Sequence, residues 1–180
     1  MRVIAGSARG VPLVAPRGRG TRPITDRVKE TLFAILGERV PDARVLDLYA
    51  GSGAVGIEAL SRGATSADFV EHSRQALDAL RRNLAKSRLE ADARVHATDV
   101  DRFLAAPDAG PWDLAVLDPP YETRAIVATL VALVPHLAPG ATVAVKHFWR
   151  TEIPAVDRLP ISRQRRFGET TLTYLELEDA

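Results

Sequence analysis

A chain of 180 residues, 46% of them apolar, is long enough for one domain with a sizeable core. It holds no cysteine, which excludes disulfides, thiolate metal sites and cysteine nucleophiles, and no apolar run approaches the ~18 residues of a membrane span. The net charge is only +1, but residues 1–30 carry Arg2, Arg9, Arg17, Arg19, Arg22, Arg27 and Lys29 against Asp26 and Glu30, a local +5 that leaves −4 on the remainder.

A basic arm on a mildly acidic domain suggests a polyanionic partner; a solubilising tail is the alternative. Met1-Arg2-Val3-Ile4-Ala5-Gly6 lacks the apolar stretch of a signal peptide, so a cytoplasmic place is expected. In chain order, Val3-Ile4-Ala5 and Val11 to Ala15 can pair as a hairpin around Ser7-Ala8-Arg9-Gly10. Arg17 to Arg22 is too polar and glycine-rich to hold a structure alone. Thr25 can cap a helix whose apolar stripe is Val28, Leu32, Ile35 and Leu36, with Gly37 as its stop.

From Arg44 onward strands and helices alternate. Strands are expected at 44–48, 66–71, 94–97, 112–117 and 142–146, and helices at about 54–62, 74–88, 100–105 and 124–137. The rhythm then changes. Residues 161–166 and 170–177 read as strands joined only by Phe167-Gly168-Glu169, too short for a helical crossover, so they pair antiparallel. The expectation is a Rossmann-like α/β fold with a seven-stranded, mostly parallel sheet.

The first strand feeds a helix through Gly51-Ser52-Gly53-Ala54-Val55-Gly56. Such a turn brings bare backbone N–H groups to a ligand, and G-x-G-x-x-G alone does not say which. Ligands in open α/β sheets sit beyond the carboxyl ends of the strands. Those ends here are Asp47, Glu71, Asp99 and Asp118. Glu71 can accept hydrogen bonds from ribose hydroxyls, or cap the next helix beside His72-Ser73. Asp99 can bind an adenine amino group with Val100 against the base, or cap the short helix. Asp47 suits a cationic amino group and repels a diphosphate. Together they describe a pocket for an adenosine ligand that also carries a positive charge. Asp118-Pro119-Pro120-Tyr121 follows a buried strand. Its prolines stiffen the backbone and leave carbonyls free to accept from an exocyclic amino group, on whose base Tyr121 can stack; a rigid turn is the bland alternative.

These residues resemble the class I S-adenosylmethionine-dependent amino-methyltransferases, and more closely the bacterial 16S ribosomal RNA guanine-N2 methyltransferases. The likeness rests on Met1–Gly10, Gly18-Arg19-Gly20-Thr21-Arg22-Pro23 leading into Thr25–Glu30, Asp47–Gly56 with Glu58–Ala64, Phe69-Val70-Glu71, Asp118–Tyr121 and Arg166–Thr170. It implies strand order 3-2-1-4-5-7-6 with strand 7 antiparallel, and a basic arm over 1–37 before a catalytic domain over 38–180. It implies S-adenosylmethionine along Asp47, Tyr49, Ala50, Gly51, Ser52, Gly53 and Gly56, with Glu71, His72, Asp99 and Val100. It implies methyl transfer at Asp118, Pro119, Pro120 and Tyr121, and 16S rRNA held by Arg9, Arg17, Arg19, Arg22, Arg27 and Lys29. A monomer with no metal and no membrane contact is expected. The chain departs from the family pattern at Val11-Pro12, where basic residues are expected, and at Tyr49, which replaces a common phenylalanine. Lys146-His147-Phe148-Trp149 departs too, and nothing in the sequence accounts for it. A DNA adenine-N6 methyltransferase fits the pocket equally well, but the small size and the arm lean against it. A nicotinamide oxidoreductase fits the glycines and leaves Asp118–Tyr121 without a role. A non-catalytic RNA-binding module is opposed by the intact Asp118–Tyr121.

Overall fold

Apolar strands that are buried on both faces need helices on both sides, and this sheet has them. The computed structural model describes residues 1–16, 24–106, 109–119 and 123–178. After α1 (Asp26–Leu36) come β1 (Arg44–Leu48), α2 (Ala54–Ser61), β2 (Ser66–Glu71), α3 (Arg74–Ser87), β3 (Ala93–Ala97) and α4 (Val100–Leu104). The chain continues through β4 (Trp112–Leu117), α5 (Thr123–Leu133), β5 (Leu137–Phe148), β6 (Ile161–Phe167) and β7 (Thr170–Glu176). The sheet order is β3-β2-β1-β4-β5-β7-β6, the order that the family resemblance implies. The first five strands are parallel, and β7 runs antiparallel between β5 and β6.

One face packs on α1, α2 and α3 through Val28, Leu32, Phe33, Ile57, Leu60, Leu80 and Leu84. The other packs on α4 and α5 through Val100, Leu104, Ile126, Leu130 and Leu133. The parallel order puts the carboxyl ends of β3, β2, β1, β4 and β5 along one edge of the molecule. That placement, which no single motif contains, builds the site.

The expected helix over 124–137 is shorter. α5 stops at Leu133, a single 3-10 turn covers Val134–His136, and β5 already starts at Leu137. Pro135 has no N–H to continue the α-helical ladder, and apolar periodicity could not register that loss.

The N-terminal hairpin forms, with Val3 N–H donating to the Val11 carbonyl at 3.0 Å and Leu13 N–H to the Met1 carbonyl at 3.0 Å. It is locked to the domain. Glu58 of α2 accepts from the N–H groups of Ile4 (2.8 Å) and Ala5 (3.0 Å). Gly6 passes so close to α2 that a Cβ would lie 1.6 Å from the Ser61 carbonyl oxygen, which requires glycine there. Of the expected RNA-contacting residues, Arg9 and Arg27 are exposed, whereas Arg17, Arg19 and Arg22 lie outside the described residues.

Lys29 corrects the sequence reading. Its side chain is 0% exposed, with Nζ 3.0 Å from Glu58 Oε2 and donating to the Arg2 carbonyl at 2.5 Å. Arg62 Nε completes the cluster, 2.8 Å from Glu58 Oε1. Lys29 neutralises a buried carboxylate and offers nothing to RNA. Lys29, flanked in the helix by Asp26, Arg27 and Glu30, reads as surface from sequence, because its partner lies 29 residues away on another helix.

Candidate active site

Each glycine of the β1–α2 turn serves a definite purpose. Gly51 and Gly53 have φ of +55° and +73°, a region costly for residues with a Cβ. Gly56 is helical, but a Cβ there would lie 2.3 Å from Cε1 of the buried Phe69. The turn closes through a bond from Gly53 N–H to the Ala50 carbonyl at 2.7 Å, and Ala50 N–H donates to Val70 of β2 at 3.1 Å. Ser52 is buried, and its carbonyl accepts from Asn83 Nδ2 at 2.9 Å. The same Asn83 bonds both backbone groups of Val14, so one amide ties the turn to the N-terminal hairpin.

Asp47 is 3% exposed and accepts from Gly56 N–H at 2.9 Å. Burial pushes its carboxyl up to about 8; the Gly56 bond opposes this, and the nearby Asp118 and Glu71 charges add to it. A buried carboxyl with acidic neighbours and one N–H donor would be favoured in its ionised form by a nearby cation. Tyr49 has φ +59°, and its hydroxyl bonds Thr129 of α5 at 2.9 Å. The tyrosine that replaces a common phenylalanine thus adds a bond, and its hydroxyl fastens the turn to α5.

Glu71 does part of what the capping alternative predicts. Oε1 accepts from His72 and Ser73 N–H at 2.9 and 2.8 Å, and Oε2 from Gly51 N–H at 2.9 Å. It thereby joins the tip of β2 to the glycine turn. Asp99 sits at the N-cap position of α4 but makes no side-chain cap bond, and its side chain is 77% exposed beside His72 Nδ1 at 3.7 Å. The capping alternative for Asp99 holds in position but not through its side chain. Val100 is buried.

Asp118 follows β4, and Pro119 after it is buried; Pro120 and Tyr121 lie outside the described residues. The sequence reading missed the partner of Asp118. Lys146, 8% exposed at the end of β5, donates to both carboxylate oxygens at 2.6 and 2.8 Å. Burial pushes the Asp118 carboxyl up, and the Lys146 ammonium works against that. A signal existed: a lysine closing an apolar strand needs a buried partner, and order 4-5 puts it beside Asp118.

A family model matches residues 1–176, spanning the hairpin, the glycine turn, Asp118 and Lys146. The chain belongs to the family described as Conserved hypothetical protein 95. Among the relatives of this family member, Ribosomal RNA small subunit methyltransferase D of Escherichia coli (strain K12) is 38% identical over 181 residues, covering 99% of this chain and 90% of that protein. The solved structure of yhhF from Escherichia coli superposes with a TM-score of 0.90 at 34% identity, covering 99% of this chain and 98% of that one. An RNA methyltransferase from Salinibacter ruber, solved in complex with S-adenosyl-L-homocysteine, shares the fold with a TM-score of 0.72 at 16% identity, over 88% and 95% of the two chains. The sheet of this family member is thus the class I methyltransferase sheet. Among its described residues no helix is long and apolar enough to cross a membrane.

Proposed function

We propose that this chain transfers a methyl group from S-adenosylmethionine to the exocyclic N2 amino group of a guanine in 16S ribosomal RNA. Family membership and the named relatives support its coarser part, a small-subunit rRNA methyltransferase that uses S-adenosylmethionine. The observation that carries the reading is the gathering of Asp47, Glu71 and Asp118 at one sheet edge, close enough for Asp118 and Glu71 to raise the Asp47 carboxyl.

The residues present fit the cofactor. Asp47 suits its ammonium group, the Gly51–Gly53 turn would hold its tail, and Glu71 and the exposed Asp99 suit ribose and adenine. When bound, it supplies an electrophilic methyl group on a sulfonium. The chain's own task is to prepare the acceptor. An exocyclic amino nitrogen is a poor nucleophile because its lone pair is delocalised into the ring. The Asp118 carboxylate and the Pro119 carbonyl accept its N–H protons, favour pyramidalisation and relieve the positive charge that develops as the nitrogen attacks. Lys146 holds the carboxylate in place from the β5 side. A base inside a helix cannot reach Asp118, so the target nucleotide leaves its stack.

The test is incubation with labelled S-adenosylmethionine and unmodified small subunits, followed by nucleoside mass spectrometry. N2-methylguanosine is expected. N6-methyladenosine, or no transfer to any rRNA, overturns the proposal.

A further inference from the structure

Lys146-His147-Phe148-Trp149 runs from beside Asp118 to the turn between β6 and β7, where Trp149 N–H donates to the Glu169 carbonyl at 2.9 Å. Lys146 pairs in register with Leu172 of β7, and Leu172 pairs with Arg165 of β6. Lys146, Leu172 and Arg165 therefore form one row across three strands, and Asp118, one residue past β4, is bonded to the Lys146 end of that row. Three strand spacings put the Arg165 backbone roughly 14 Å from that of Asp118.

β6 is the last strand of the order, and every residue from Ile161 to Arg166 is exposed. It carries Arg163, Arg165 and Arg166 and no acidic residue. Arg163 and Arg165 pair with Tyr174 and Leu172, whose side chains share a core with Val3 and Leu13 of the N-terminal hairpin. These two arginines therefore lie on the same side of the sheet as the basic N-terminus. Arg166 is on the other side. Its guanidinium carbon lies 4.0 Å from the Trp149 ring centroid, and that of Arg150 lies 4.7 Å from it. Charged side chains also protect an open sheet edge against pairing. Edge protection, however, requires no tryptophan collecting two guanidinium groups, and no placement in the active-site row.

We propose that the β6 edge, with Trp149 and Arg150, is a second RNA-binding surface that holds backbone phosphates beside the target nucleotide. This rests on the reading of the chain as an rRNA methyltransferase. Guanidinium groups suit phosphate oxygens through paired N–H donors, and stacking on Trp149 orients two of them in advance. The hairpin and the edge then grip the substrate on two sides of Asp118, and both ends of the chain contribute to RNA binding.

The test compares the full chain with Arg163→Gln/Arg165→Gln/Arg166→Gln and with the corresponding triple lysine variant. Binding to an unmodified 16S rRNA transcript and to unmodified small subunits is measured over a salt series, with S-adenosylmethionine binding as the control. The glutamine variant should lose about 2–3 from the salt slope and roughly tenfold or more in affinity near 0.15 M salt. The lysine variant should keep the slope, and cofactor affinity should not change in either. Wild-type affinity and slope in the glutamine variant overturn the inference and leave the arginines as edge protection. Weakened binding to subunits with unchanged binding to the transcript also overturns it, in favour of a protein contact. If the wild-type chain neither binds rRNA nor methylates it, the functional reading itself fails.

Discussion

Lys146 Nζ lies within 2.8 Å of both carboxylate oxygens of Asp118, so the acceptor proposed for the substrate amino group is already held by a cation. Burial raises the Asp118 carboxyl and Lys146 opposes it. Replacing Lys146 with Met should therefore move the acidic limb of the kcat/KM profile upward. Lys146→Arg should restore most of the wild-type profile. A Lys146→Met profile that coincides with wild type would separate the pair from catalysis.

Asp118→Ala should reduce kcat by about 10²–10³-fold, the scale of removing one electrostatic partner of a developing charge. Cofactor affinity, measured by calorimetry, should stay near wild type because Asp47 and Glu71 are intact. Equal loss of turnover and cofactor binding would place Asp118 in the cofactor site instead. The single variant also strands Lys146, so Asp118→Ala/Lys146→Met should be more stable than Asp118→Ala alone.

Asp47 supplies a pH test. Its folded carboxyl is raised to about 8, so the unfolded chain ionises first. Its effect on stability is therefore a loss as pH rises from about 4 toward 8, which Asp47→Asn should remove. A bound ammonium group favours the ionised form. Affinity for S-adenosylhomocysteine should rise as pH increases from 6 to 7.5, with proton release seen in buffers of different ionisation heat. 5′-Deoxy-5′-methylthioadenosine, which has no amino-acid tail, should show neither effect. A flat profile for both ligands would sink the assignment of Asp47.

Lys29 and Arg27 should separate folding from RNA binding. Lys29→Met removes one of the two cations on the buried Glu58 and leaves Arg62, a change worth up to about 3–5 kcal/mol, or on the order of 10 °C in Tm for a chain of this size. Its RNA salt slope should match wild type. Arg27→Gln should leave Tm nearly unchanged and lower the slope by just under one. The reverse pattern would return Lys29 to the RNA surface.

Alanine normally helps a helix by about 1 kcal/mol over glycine. Gly56→Ala should do the opposite and cost about 1–3 kcal/mol, because the added Cβ meets Phe69 at 2.3 Å. Gly56→Ala/Phe69→Leu should recover part of the loss in thermal unfolding. A stabilised single variant would mean that the turn can shift without penalty.

Much of the fold was legible in the sequence for a local reason. Buried parallel strands are apolar runs, surface helices repeat every three to four residues, and glycine marks the turns; each signal spans fewer than 20 residues. The boundary of α5 escaped because Pro135 acts through a missing hydrogen bond, to which apolar spacing is blind. The acidic strand ends were also local, and so Asp47, Glu71, Asp99 and Asp118 could be named without coordinates. What depends on partners far along the chain could not be read. Lys29 looked like part of a basic arm until Glu58 closed over it. Glu71 turned out to serve Gly51 as well as its own turn. Lys146 had no stated role until strand order brought β5 against β4. The sequence by itself determined the order of the elements and the chemistry at each strand end. Only the tertiary structure decided which charges meet, because burial and distance set electrostatics, and both arise from packing between segments 20 or more residues apart.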